Sequence, residues 1–199
     1  MTRPQIKTYY DATEQSETRE DLKVAVNLIR DSKVAIDCGC GSGSDIAFLL
    51  ENEFRVYAFD IEEDSIARCK NRFKGNENIF LNLDSFDTFI YPKASLVVAD
   101  ASLFFCPPNK FDEVWTKIYE CLDSGDVFSG SFLGPKDSMA KDDYDKENIW
   151  PEVSVFTESQ VRKHLSKYEI ICFTEHINSG TTSQGNEHDW YIYSVVANK

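Results

Sequence analysis

A chain of 199 residues, 42% hydrophobic and 28% charged, has the size and make-up of one globular domain and holds no apolar run near the ~20 residues of a bilayer crossing. Its net charge of −13 argues against a nucleic-acid partner, because such binding relies on Lys and Arg displacing counterions. The N-terminus shows no targeting pattern and the six cysteines show no paired zinc spacing, so the expectation is a cytoplasmic protein with reduced thiols, no metal and no membrane contact.

Residues Thr2 to Ser16 are polar and carry the pair Tyr9 and Tyr10, an arm placed to fold over whatever the first strand binds. Leu22, Ala25, Val26 and Ile29 follow at helical spacing, so a leading helix precedes the sheet. Val34, Ala35 and Ile36 form a short apolar run that ends on Asp37, with Gly39, Gly41 and Gly43 at alternate positions after it and an amphipathic helix from Ser44 to Leu50. Strand, glycine turn and helix N-terminus describe a nucleotide-type site. A dinucleotide fingerprint is incomplete in both frames, since its third glycine falls on Ser44 or Ile46, and a P-loop needs a Lys that this turn lacks. An acid, alternating glycines and a second acid farther on suit a nucleoside whose tail carries an ammonium group. S-adenosylmethionine fits that description.

Arg55 to Phe59 reads as the second strand and closes on Asp60, 21 residues after Gly39, where an acid accepts hydrogen bonds from ribose hydroxyls. Glu62, Glu63 and Asp64 open a helix whose last turns hold Arg68, Lys70, Arg72 and Lys74, matching the macrodipole at both ends. Ile79 to Leu81 makes a third strand, followed by Asp84, Ser85 and Phe86, which read either as an adenine contact or as a capped turn. The nearly all-apolar Ala94 to Ala99 is a central fourth strand ending on Asp100. Phe111, Val114, Trp115, Ile118 and Leu122 mark a helix, and Ser124 and Gly125 turn the chain into a fifth strand, Val127 to Phe132.

The charged connection over 134–152, with Trp150 near its end, is a possible substrate lid. Thr157 and Gln160 form a capping box, and strands at Tyr168 to Thr174 and Trp190 to Ala197 pair antiparallel through a hairpin over 178–187. The pattern predicts a three-layer, doubly wound α/β fold, Rossmann-like, with a mostly parallel seven-stranded sheet and an antiparallel last strand. Asp37, Asp60, Asp84, Asp100 and Phe132 then look onto one rim at the strand carboxyl ends.

The glycine motif, Asp60, the DSF at 84–86, the strand order and the final hairpin resemble the class I S-adenosylmethionine-dependent methyltransferases across essentially the whole chain. FLGPKDSMA at 132–140, FTESQVRKHL at 156–165 and HDWYIYSVVANK at 188–199 are similar to the tellurite-resistance-type small-molecule subgroup. That subgroup often shows a second His or Trp near the final H-x-W, where this chain has Tyr191.

The resemblance implies S-adenosylmethionine as methyl donor, S-adenosylhomocysteine as product and a small-molecule acceptor, in a monomer or homodimer. It implies Asp37, Gly39, Cys40, Gly41 and Gly43 around the methionine portion, Asp60 with Ile61 at the ribose, and Asp84 and Ser85 at the adenine with Phe86 against it. Asp100 and Ala101 would lie beneath the methionyl tail, and Arg19, in the leading helix, would meet the methionine carboxylate. Methyl transfer is an in-line displacement that needs a general base only if the acceptor must lose a proton. His188, in a turn before the last strand, is the first candidate for that base, with Tyr9 and Tyr10 next. The competing readings are a non-catalytic cofactor-binding scaffold of the same fold and an NAD-dependent oxidoreductase.

Overall fold

A computed structural model describes residues 4–144, 152–183 and 185–199. Two helices, α1 (Pro4–Thr13) and α2 (Glu20–Leu28), precede an alternation of β1 (Val34–Cys38), α3 (Ser44–Glu51), β2 (Arg55–Asp60), α4 (Glu63–Arg72), β3 (Ile79–Leu83) and β4 (Ala94–Ala99). Then come α5 (Phe111–Cys121), β5 (Leu122–Leu133), α6 (Glu158–His164), β6 (Glu169–Thr181) and β7 (Glu187–Asn198). The seven strands lie in the order β3-β2-β1-β4-β5-β7-β6. The first five run parallel, and β7 is antiparallel to both β5 and β6. This is the predicted three-layer architecture.

The order reverses between β1 and β4, which opens a crevice beyond their carboxyl ends. Every residue of β4 is buried, as expected of a strand covered on both faces. One half of the core lies between the sheet and α2 to α4, around Leu22, Ile46, Leu49 and Leu96. The other lies under α5 and α6, around Trp115, Ile118, Phe128, Phe132 and Val161. The capping box is present: Thr157 Oγ1 accepts from the Gln160 N–H, and the Gln160 side chain accepts from the Thr157 N–H.

The N-terminal arm, β5, β6, β7 and the connection after β5 differ from the sequence reading. The N-terminal arm is the helix α1, supported by Lys7–Asp11 at 3.0 Å and by docking against α4. β5 begins at Leu122, so Ser124 and Gly125 lie within the strand: its pairing with β4 shifts register between Ala94 and Leu96, and the Gly125 N–H donates to the Lys199 carbonyl at 2.7 Å. Gly125 has φ +92°, a conformation that suits glycine at a bulge. β6 runs on to Thr181 and β7 starts at Glu187, because their cross-strand ladder continues as far as Thr181 and Glu187. Of the expected lid, 134–144 is pinned to β7, and 145–151, Trp150 included, lies outside the described residues.

Candidate functional site

The glycine turn joins β1 to α3. Gly39, Gly41 and Gly43 all have positive φ, which permits the sharp reversal, and side chains close on all three. A Cβ on Gly39 would stand 2.7 Å from the Ser102 Cβ, and one on Gly41 would touch the Tyr10 ring at 3.4 Å. The Gly39 and Cys40 N–H groups both donate to the Phe59 carbonyl of β2, at 2.9 and 3.0 Å.

Asp37 sits at the base of this turn. It is 3% exposed, and its Oδ2 is buried with no hydrogen-bond partner. Burial pushes its carboxyl well above the ordinary range, Asp45, Cys69 and Asp60 add to the rise, and Arg19 opposes it. An unpaired buried carboxylate oxygen is costly to keep. A cationic donor arriving from the crevice would satisfy it.

Asp60 is likewise buried. Its Oδ2 accepts from the Gly41 N–H and its Oδ1 from the Glu62 N–H, each at 2.9 Å. Burial raises its carboxyl pKa, and these backbone N–H groups pull it back down. Each oxygen keeps a second lone pair for a hydroxyl, so one side chain clamps the turn and still faces the crevice. Ile61, the next residue, is 46% exposed, an apolar surface at the rim. Asp84 and Ser85 follow β3 and engage their own loop, Asp84 Oδ1 accepting from Thr88 Oγ1 and Ser85 Oγ donating to Asp87 Oδ1 at 2.7 Å. Phe86 turns into the core, edge-on to Phe59 at 5.3 Å.

At the end of β4, Asp100 forms an ion pair with Arg19. Arg19 is the residue that caps α2 at its N-terminus rather than one within the helix, and from there its guanidinium reaches the switch point. Ala101 has φ +47°, a strained setting for a residue with a Cβ. Its N–H donates to Asp100 Oδ1 at 2.9 Å and Ser131 Oγ at 2.8 Å, which fix it there.

Tyr10 is 5% exposed and packs on the turn. Burial first, then Asp60 and Glu62, push its phenol far above its ordinary value, a poor property in a base. Arg68 of α4 locks α1 in place through Asp11 at 2.7 Å while also holding Asp64 at 2.8 Å, and Arg72 donates to the Glu14 and Ser42 carbonyls at 2.9 and 3.1 Å. Arg68→Ala is therefore expected to speed amide hydrogen exchange across residues 4–14 with little change in β4 and β5, read by mass spectrometry on peptides.

His188 lies inside β7 rather than in a turn before it. Its Nε2 is 3.0 Å from Asp137 Oδ1, and Asp137, fully buried, also accepts the Met139 and Tyr191 N–H groups at 2.9 Å each. Sequence reasoning missed Asp137, whose signal was an Asp positioned to cap the short helical turn Ser138–Ala140. Ile192 pairs with Leu133, the last residue of β5, so His188 stands four residues, ~13 Å of strand, farther out. The pair His188–Asp137 staples the connection after β5 to the hairpin, at a distance from the Asp100 end of the crevice.

Residues 35–125 match a family model described as a methyltransferase domain. That stretch, a little under half of the chain, is similar to methyltransferase domains. Among curated proteins none matches it. Its fold is that of the class I S-adenosylmethionine-dependent methyltransferases. TehB from Haemophilus influenzae superposes with a TM-score of 0.76 at 18% identity over 96% of this chain, which spans 65% of that longer protein. A S-adenosylmethionine-dependent methyltransferase from Methanosarcina mazei gives 0.69 at 16% identity, covering 92% of this chain and 99% of the other. The 1,6-didemethyltoxoflavin N1-methyltransferase of Burkholderia thailandensis, bound to its substrate and S-adenosylhomocysteine, gives 0.65 at 16% identity over 98% and 84% of the two chains. Among the described residues, those at the crevice include the acids Asp37, Asp60 and Asp100 and the cation Arg19. That set suits a zwitterionic nucleoside better than a pyrophosphate.

Proposed function

We propose that the protein binds S-adenosylmethionine across the carboxyl ends of β1, β2 and β4 and transfers its methyl group to a small-molecule acceptor, releasing S-adenosylhomocysteine. The observation that carries this reading is the buried, unpartnered Oδ2 of Asp37 beneath the glycine turn. It is a site for the ammonium of the methionyl tail. Arg19 serves the tail carboxylate, exchanging part of its pairing with Asp100 for it. Asp60 takes the ribose hydroxyls, Ile61 lies under the adenine, and Asp84 and Ser85 edge it. Gly39, Cys40, Gly41 and Gly43 give the backbone surface, and Ala101 shapes the floor.

Transfer proceeds by in-line displacement with a neutral thioether leaving. Alignment of the two reactants accounts for ~7–11 kcal/mol of barrier lowering. The protein's part is to hold the acceptor on the line of the breaking bond and to keep water out. No dedicated base enters this reading, because the Tyr10 phenol is held protonated by burial and the buried His188 is engaged with Asp137, out along β7 past the end of β5. The acceptor accordingly is a nucleophile that reaches the site already unprotonated, a soft anion or a neutral amine.

The chain acts as one domain, with residues 4–32 over the cofactor and the described part of the expected lid, 134–144, on the acceptor side. The likeness to TehB supports kinship with the tellurite-resistance-type enzymes. Among the described residues no helix is long and apolar enough to cross a membrane, and we place the protein, monomer or homodimer, in the cytoplasm. The net charge of −13 disfavours a nucleic-acid acceptor.

The test is a panel of thiols, oxyanions, amines and carboxylates incubated with S-adenosylmethionine, with formation of S-adenosylhomocysteine measured. Turnover with at least one acceptor is expected. Tight cofactor binding without turnover across all classes would favour the scaffold reading instead.

A further inference from the structure

A cluster of nucleophilic side chains that the methyl-transfer reading leaves unused lies beneath the glycine turn. Cys40 is in the turn and Cys69 is on α4, both buried in the same half of the core. Cys40 Sγ is 3.7 Å from Ser65 Oγ, which donates to the Gly41 carbonyl at 2.6 Å. The Cys69 thiol donates to that same carbonyl at 3.6 Å, so both sulfurs converge on it, Cys69 directly and Cys40 through Ser65. A Cβ on Gly43 would come within 2.9 Å of Cys69 Sγ, so this sulfur touches two of the three glycines that shape the turn. Cys38 belongs to the other half of the core.

We propose that Cys40 and Cys69 form a dithiol modification site whose oxidation to a disulfide ties the glycine turn to α4 and closes the cofactor site. This inference rests on the cofactor reading of the turn. The oxidant is hydrogen peroxide: one thiolate attacks a peroxide oxygen, giving a sulfenic acid and hydroxide, the second thiolate displaces hydroxide from the sulfenic sulfur, and the two hydroxides take up the protons the thiols released. In total two thiols and one peroxide become one disulfide and two waters, the sulfurs being oxidised and the peroxide reduced.

A disulfide brings the sulfurs to about 2.05 Å with a fixed dihedral. The Cys69 thiol thereby stops donating to the Gly41 carbonyl, and the Cys40 backbone is drawn toward α4. Gly41 follows, and with it the N–H that Asp60 Oδ2 holds, so the ribose acid and the turn lose their register. The neighbouring Cys69 thiol and then burial disfavour the Cys40 thiolate, so the reaction proceeds from an opened turn and a bound cofactor slows it.

The test treats reduced protein with hydrogen peroxide, with and without S-adenosylhomocysteine, and reads the products by peptide mass mapping. Affinity for S-adenosylhomocysteine is measured by calorimetry before oxidation, after it, and after re-reduction with dithiothreitol. A Cys40–Cys69 linked peptide is expected, forming more slowly with ligand present. Affinity should fall by about tenfold or more and return on reduction, while Cys69→Ala keeps its affinity through the same treatment. Oxidation that leaves these two cysteines unlinked, or linked protein that binds as tightly as reduced protein, would overturn the proposal. The mapping needs no cofactor, so a linked peptide in protein whose reduced form never binds S-adenosylhomocysteine would refute the cofactor reading and the claimed closure while leaving the dithiol established.

Discussion

Asp37→Asn is expected to abolish binding of S-adenosylmethionine and, in the same protein, to raise the thermal midpoint of the unliganded state. The two effects have one origin. Asp37 is buried with an unpartnered Oδ2, and its folded-state carboxyl titrates well above the ordinary 3.8. A raised carboxylate pKa means that the unfolded chain releases its proton first, so this residue opposes folding progressively as pH rises from about 4 toward its folded pKa. The penalty is fully in place above the folded value and absent below about pH 4.

The neutral amide removes that charge. Each unit by which the folded-state pKa exceeds the unfolded one is worth about 1.4 kcal/mol, and about 2–4 °C accompanies each kcal/mol in a protein of this size, so scanning fluorimetry should show a gain of several degrees near pH 7. The same scan near pH 4 should show a smaller gain. The ligand loses its charged partner, and affinity should fall by about 100-fold or more. A variant that is less stable at pH 7 yet binds normally would remove Asp37 from the site.

Asp60→Ala should produce the opposite pairing, with stability and affinity lost together. The side chain accepts the Gly41 and Glu62 N–H groups and so fixes both the turn and the start of α4. Removing it leaves two backbone donors unmatched and takes away the proposed ribose acceptor. Each lost hydrogen bond to the charged group is worth about 1.5–3 kcal/mol. Unfolding in urea should come earlier by a comparable amount, and binding of S-adenosylhomocysteine should weaken at least about 100-fold. Asp60→Asn, which keeps one acceptor, should recover part of the stability. Unchanged affinity in Asp60→Ala would assign this residue to the turn alone.

The contrast between these two acids shows what was legible in the sequence. Both were visible as acids at strand ends, because an apolar run followed by an acid and glycines is a local pattern. β4 was legible to the residue for the same reason: a strand buried on both faces is apolar at nearly every position, Ser95 being the exception. That Asp37 Oδ2 lacks a partner while each oxygen of Asp60 has one depends on where the turn folds back, and no local signal carries it. α1 was hidden because its docking depends on Arg68 and Arg72, more than fifty positions away in the chain. His188 read as a turn residue because β7 is lengthened by its ladder with β6. Its partner Asp137 is 51 residues distant, and the pairing exists only once β5 and β7 lie side by side.

Calorimetric titration of the reduced protein with S-adenosylhomocysteine and, separately, with NAD tests the central claim most directly. One molecule of S-adenosylhomocysteine should bind per chain, with no heat of binding for NAD and none for either ligand in Asp37→Asn. Saturable binding of NAD, or an absence of binding by S-adenosylhomocysteine in folded protein, would contradict the account.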